Sequence, residues 1–246
     1  MKTPIRPHPQ IKLSVTQVGA ERAPVILVDN FITNPDELVE DAATEHPFKP
    51  FNLYYPGVKA PIPSMYPLAL YQILRDAIRT VFGLEGLDVV LVDSDFRMVT
   101  RRPEELHARQ LVPHYDIADP NVIVVLHYLA SREYGGTSMY RHRKTGFERI
   151  AGNRVQPFED TLAEEMKDYR AEGFIAGDTD LFERIASFPA RFNRALIYRG
   201  ISLHAGDIEA AFPFDPDPRT GRLTANTVFF FGTPMPSLVA RKAATP

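Results

Sequence analysis

Apolar and polar positions change period several times along the chain, and each change marks an element. Residues 25–29 (VILVD) form a short apolar run without alternation and read as a buried strand that stops at Asn30. The next residues carry the marks of a helix start: Asn34 as N-cap, Pro35 at the first helical position and Glu37 placed for a capping box. A helix is therefore expected over 35–45. Prolines recur across 46–67, and each pushes the preceding residue away from helical angles. That segment is expected to be an extended loop whose Phe48, Phe51, Tyr54 and Tyr55 either pin it to the body of the protein or line an entrance. Leu70, Ile73, Leu74, Ala77, Ile78, Val81 and Phe82 keep helical spacing up to Gly83, which predicts a helix over 67–82. Residues 88–100 alternate, as one strand or as two with a break near 93–95.

The run 122–129 is a strand signal. On it His127 shares a face with Ile123, Val125 and Leu129, which suits a core position, while Tyr128 shares the other with Val122, Val124 and Leu126. Residues 135–140, 195–198 and 222–231 read as further strands. Between them the pattern turns mixed and more helical, notably over the acidic stretch 158–169. Residues 144–188 are expected to be a helical insertion, either an outer helix or a cover over a site. The chain holds 22 prolines in 246 residues, close to double the usual ~5%, which favours loops and interrupted strands over long helices. The expected class is mainly β with flanking helices, in a single domain over 1–246. Its parts are an N-terminal strand, loop and helices (1–87) and a β core (88–235).

Composition narrows the chemistry. The absence of cysteine rules out disulfides and thiolate metal sites, leaving His, Asp and Glu as ligands. A net charge of −3 with both signs interspersed gives no basic field for nucleic acid and no polybasic membrane anchor. No apolar run approaches the ~18 residues of a membrane span, and the first residues lack the apolar core of a secretory signal. A cytoplasmic location and a small-molecule or peptide substrate are the expectations.

His114 and Asp116 stand two positions apart, and on an extended chain residues i and i+2 point to the same side, so both can converge on one ion. Two histidines and one carboxylate on one face of an octahedron is the arrangement of non-haem Fe(II) oxygenases, which calls for a distant third ligand. His204 is the best-placed candidate, 90 residues on (204 − 114), and Arg222 enters a strand 18 positions later (222 − 204). Taken alone, the pair at 114 and 116 also fits a polar turn, and His204 a satisfied core histidine.

With HYD at 114–116, VVLHYL at 124–129, GGTSMY at 135–140, LHAG at 203–206 and RLTANTVFF at 222–230, the chain resembles the Fe(II)/2-oxoglutarate dioxygenases. The resemblance is strongest to their prolyl 4-hydroxylase-like branch. It implies a double-stranded β-helix (a cupin-like jelly roll) with N-terminal helices packed on the major sheet. It also implies Fe(II) on His114, Asp116 and His204, with 2-oxoglutarate and O2 as cosubstrates, and hydroxylation rather than halogenation because the carboxylate of Asp116 is present. Arg222 is then expected to hold the distal carboxylate of 2-oxoglutarate, since a guanidinium offers two parallel charge-assisted hydrogen bonds, with Thr224 facing the same way. The spacing from His204 is longer than the family's, so Arg219 and Arg199 stay open as alternatives. Tyr128 matches a position where related enzymes use a tyrosine on the cosubstrate, or else is a core tyrosine. The family's upstream tyrosine is missing, and Gln110 or His107 is left to replace it. Tyr140, Arg141 and His142, with Arg143, form either a basic surface patch or the rim of a pocket for an anionic substrate. A jelly-roll ligand-binding protein without turnover is the second function class; the missing tyrosine and the long turn before Arg222 favour it.

Overall fold

The computed structural model describes residues 3–51, 55–171, 173–209 and 211–233. Along the chain run β1 (Lys12–Val18), β2 (Ala23–Asp29), α1 (Pro35–Thr44), β3 (Lys49–Pro50), β4 (Gly57–Pro61), α2 (Met65–Phe82), β5 (Asp88–Val99), β6 (Val122–Tyr128) and β7 (Gly136–His142). They are followed by α3 (Val155–Glu165), β8 (Phe182–Pro189), β9 (Arg194–Arg199), β10 (His204–Asp207) and β11 (Leu223–Gly232). The strands form two antiparallel sheets, a large one in the order β1-β2-β9-β6-β11-β5-β4-β3 and a small one in the order β10-β7-β8.

Every residue of β6 is buried, because both faces of the large sheet are covered. On one face Ile123, Val125 and Leu129 meet Leu38 and Ala42 of α1 and the α2 stripe Leu70, Leu74, Ile78 and Phe82. That stripe recurs every four residues, which puts it on one side of the helix. On the other face Val124, Leu126 and Tyr128, with Leu196 and Tyr198 of β9, pack against Met139 and Phe188 of the small sheet. Two-sided covering explains why 122–129 reads as a continuous apolar run. Among the described residues no helix is long and apolar enough to cross a membrane.

Several elements depart from the sequence expectation, each for a physical reason. The capping box at the start of α1 is not made: Asn34 has no side-chain cap bond, and its Nδ2 donates to Thr3 Oγ1 (3.3 Å). The Glu37 carboxylate accepts instead from the Thr3 backbone N–H (3.1 Å). The segment 46–67 is not all loop, since β3 and β4 pair as a hairpin that extends the edge of the large sheet along β5. Gly57 permits that docking, because a Cβ there would lie 1.8 Å from the Met98 carbonyl oxygen. Strand β5 runs unbroken through 93–95, where Ser94 Oγ lies 2.7 Å from Thr227 Oγ1 across the ladder. The expected insertion 144–188 is shorter, because its last residues belong to β8, paired with β7. The large sheet also starts well before residue 88, with β1 and β2. Six of the seven residues of β1 are exposed, so it lacks the apolar face that marks a strand in sequence. Tyr54 lies outside the described residues.

His127 is the polar element of the core. Its Nδ1 lies 3.0 Å from the Tyr66 hydroxyl and its Nε2 3.2 Å from Asn193 Oδ1. Burial pushes its pKa down from 6.5 to about 4. As pH falls the unfolded chain therefore takes up the proton first, and stability present above pH 6.5 is lost towards pH 4. Between pH 7 and 5 this histidine is expected to remove about 2 kcal/mol of unfolding free energy. Urea titrations at the two pH values should show His127→Gln losing less than wild type by about that amount.

Candidate metal centre

The piece of chain around His114 is extended because it pairs with the start of β10. His114 N–H donates to the His204 carbonyl (2.9 Å) and His204 N–H to the His114 carbonyl (2.8 Å). Asp116 N–H donates to the Gly200 carbonyl (2.8 Å), which carries the pairing further. The pleat then turns the side chains of His114 and Asp116 to the same side, next to the side chain of His204. One ligand atom from each of the three lies within 4.8 Å of the other two. His204 Nε2 is 3.6 Å from Asp116 Oδ2, and His114 Nε2 is 3.8 Å from Asp116 Oδ1.

The protonation of these groups suits ligation. His204 Nδ1 lies 2.9 Å from the Ser202 carbonyl, which can only accept, so Nδ1 carries the proton and the Nε2 lone pair faces the other two side chains. The His114 side chain is 56% exposed on the side that lines the cavity and is surrounded by protein groups elsewhere. This desolvation, with His204 beside it, pushes its pKa down to about 4, so the imidazole is neutral near pH 7. Tyr198 packs its ring 4.7 Å from that of His204, and burial together with Asp116 holds its hydroxyl well above the ordinary value, as a phenol.

The three side chains line a cavity of about 540 Å³, within the range of small-molecule sites. From the β11 side Arg222, Thr224, Asn226 and Val228 face into it at alternate positions. Arg222 is 6% exposed and reaches across to the small sheet, where Nε donates to the Tyr134 carbonyl (3.1 Å) and Nη2 to that of Gly136 (2.9 Å). Among the described residues its hydrogen bonds go to these two carbonyls and to no carboxylate. The approach needs Gly135, whose φ is +65° and where a Cβ would lie 1.7 Å from the Asp207 carbonyl oxygen. The Thr224 hydroxyl donates to Asn226 Oδ1 at 2.9 Å. Gln110 also lines the cavity; its Oε1 accepts from His107 N–H (2.9 Å), while its buried Nε2 has no partner among the described residues.

Other residues singled out in the sequence stand elsewhere. The Tyr128 hydroxyl lies 2.7 Å from Thr137 Oγ1, and it is Thr137 that lines the cavity. Tyr140, Arg141 and His142 do not line it. Tyr140 is buried against Phe182, Arg141 pairs with Glu148 and Glu183, and His142 Nε2 lies 2.7 Å from Glu165 Oε2. His107 is exposed, Arg219 pairs with Glu40, and Arg199 donates to the Phe82 carbonyl. Of the loop aromatics, Phe51 and Tyr55 line the cavity while Phe48 packs on the core. From the shortened insertion, Phe158 and Leu162 of α3 close one wall.

Arg97 and Asn226 are among the lining residues missed in the sequence. The available signal was period 2: Arg97 sits between the buried Phe96 and Met98, and Asn226 follows Thr224 by two. Burial disfavours the charge of Arg97, but Asp95 beside it, with Tyr55 and Asp116, holds its pKa above the ordinary value.

Loss of any one of the three candidate ligands should cost divalent-metal affinity at least the roughly 10- to 100-fold that loss of an outer-shell partner costs. Calorimetric titration of Co(II) into His114→Ala, Asp116→Ala and His204→Ala should show this, and His142→Gln should bind as wild type does.

No curated protein matches the sequence. Among solved structures the chain is similar to the non-heme α-ketoglutarate-dependent carbocyclase SnoK of nogalamycin biosynthesis, with 10% identity, 90% of this chain and 86% of that one covered, and a TM-score of 0.48. It is similar to the epimerase SnoN of the same biosynthesis (10% identity, 92% and 86% covered, TM-score 0.47). HygX from Streptomyces hygroscopicus, solved with nickel, 2-oxoglutarate and hygromycin B bound, is a third (11% identity, 89% and 85% covered, TM-score 0.46). The family described as "Family of unknown function (DUF6445)" matches residues 9–230, a span that includes all three candidate ligands and Arg222, and the chain belongs to that family.

Proposed function

We propose that the protein is an Fe(II)- and 2-oxoglutarate-dependent oxygenase built on a double-stranded β-helix, and that it hydroxylates a small-molecule or peptide substrate. The observation that carries this reading is the convergence of His114, Asp116 and His204 in the same cavity as the buried, carboxylate-free guanidinium of Arg222. Two imidazoles and one carboxylate, with no thiolate, are a donor set that would hold ferrous iron. When bound, iron with 2-oxoglutarate and O2 supplies the oxidation of an otherwise inert C–H bond, with 2-oxoglutarate passing to succinate and CO2.

The chain's own groups have separate tasks. Arg222 would grip the distal carboxylate of the cosubstrate with donors not taken by Tyr134 and Gly136, and the Thr224 hydroxyl stands on the same face. The bond from His204 Nδ1 to Ser202 fixes the tautomer and ring orientation before any ion arrives. Val124, Leu126 and Val228 give the cavity an apolar wall that keeps water from the reacting groups.

Anaerobic Fe(II) with 2-oxoglutarate is expected to give a weak visible charge-transfer band in wild type that His114→Ala lacks. Arg222→Gln should weaken 2-oxoglutarate binding by about tenfold or more, the usual size of a lost charge-assisted hydrogen bond. Absence of the band in wild type would count against the oxygenase. A band without any succinate formed in air would favour a binding protein that lacks turnover.

A further inference from the structure

Arg97 lines the same cavity and has no part in the chemistry above. It lies directly across the ladders from Thr224 of β11 and Lys59 of β4, so it projects from the same face of the large sheet as Thr224. Its Nε donates to Asp95 Oδ1 at 2.6 Å, and among the described residues neither of its Nη groups donates a hydrogen bond. The guanidinium carbon stands 5.0 Å from the ring centre of Phe51 and 5.5 Å from that of Tyr55, both of which line the cavity. Lys59 Nζ lies 4.2 Å from the Phe51 ring centre.

The balance of charge indicates what the cavity lacks. Arg109 and Glu159, both in the lining, neutralise each other. A ferrous ion with Asp116 leaves one positive charge and Arg222 adds another, and the two carboxylates of 2-oxoglutarate cancel both. Arg97 and Lys59 share a single carboxylate, that of Asp95, which is 6% exposed. Of these three groups only Arg97 lines the cavity. The Lys59 side chain is 39% exposed and can meet water, whereas that of Arg97 is 16% exposed and can meet little except what enters the cavity. The Arg97 guanidinium, engaged through Nε alone, keeps its two Nη groups for a hydrogen-bonding anion that enters the cavity.

We propose that Arg97 is the recognition residue for the second substrate, and that this substrate is a small organic acid whose carboxylate seats on the Arg97 Nη groups while its hydrocarbon part lies against Phe51 and Tyr55. The inference rests on the oxygenase reading of the same cavity. Arg97 lines the same cavity as His114, Asp116 and His204, so the group it holds shares that space with the candidate metal centre. Its planar donors favour a flat carboxylate, and the two rings favour an aromatic or extended hydrocarbon next to it.

The test uses the full chain loaded anaerobically with Fe(II) and 2-oxoglutarate, with benzoate as the probe and benzamide as its uncharged counterpart, read by calorimetry and by thermal shift. Wild type is expected to bind benzoate at least tenfold more tightly than benzamide. Arg97→Gln is expected to lose at least tenfold in benzoate affinity while its 2-oxoglutarate Kd moves less than threefold, and Arg97→Lys to recover part of the loss. Equal binding of benzoate and benzamide by wild type would overturn the proposal. So would an Arg97→Gln variant that weakens 2-oxoglutarate as much as benzoate, since Arg97 would then belong to the cosubstrate's site. Should Arg97→Gln fail to fold, a benzoate affinity in Arg97→Lys equal to wild type would also overturn it. The same titrations on metal-free chain keep the two readings apart. If wild type binds neither Fe(II) nor 2-oxoglutarate the oxygenase fails, whereas Arg97-dependent benzoate binding without metal shows an acid-binding cavity on its own.

Discussion

Two backbone hydrogen bonds, exchanged between His114 and His204, are the constraint on which the rest of the site depends. They join segments 90 residues apart in sequence (204 − 114) and set the register in which one side chain of each meets Asp116. A slip of one residue would turn His114 and Asp116 to the opposite side of the strand and disperse the cluster. Of the three candidate ligands His204 opens β10, and His114 reaches it through an isolated bridge, so backbone pairing brings the two segments together although 114–116 is no strand of its own. The further bond from Asp116 N–H to Gly200 means that the carboxylate-bearing residue is held by the same pairing.

That pairing is itself supported by the layers behind it. Tyr198 of β9 packs its ring, tilted, against His204 on one side, and the small sheet continues from β10 into β7 and β8 on the other. Strand β6, packed on both faces, keeps the large sheet in place between the helices and the small sheet. Its His127, with both ring nitrogens engaged, adds directional bonds to a core otherwise held by apolar contact.

Where the sequence is legible, a single physical requirement dominates. The run 122–129 must be apolar because both its faces are covered, and the stripe from Leu70 to Phe82 must recur every four residues because one helix face is buried. The pair at 114 and 116 is legible because extended backbone turns alternate residues to one side. Legibility fails where a partner far away in sequence decides. Strand β1 pairs with β2 while nearly all its side chains face water, so hydrogen bonds rather than burial make it a strand. The hairpin of β3 and β4 depends on room left at Gly57 beside Met98, and the capping groups of α1 are taken by Thr3, over 30 residues away. Arg97 was overlooked because an arginine between two apolar residues reads as a solvent-facing position, whereas the cavity, not bulk water, lies on that side.

The guanidinium of Arg222 starts from the large sheet and ends on two carbonyls at the start of the small one. Any anion seated on it would act as a rivet through both layers of the sandwich. Filling the cavity and fastening its open end would then be one event, so resistance to heat and to proteolysis would rise together with occupancy.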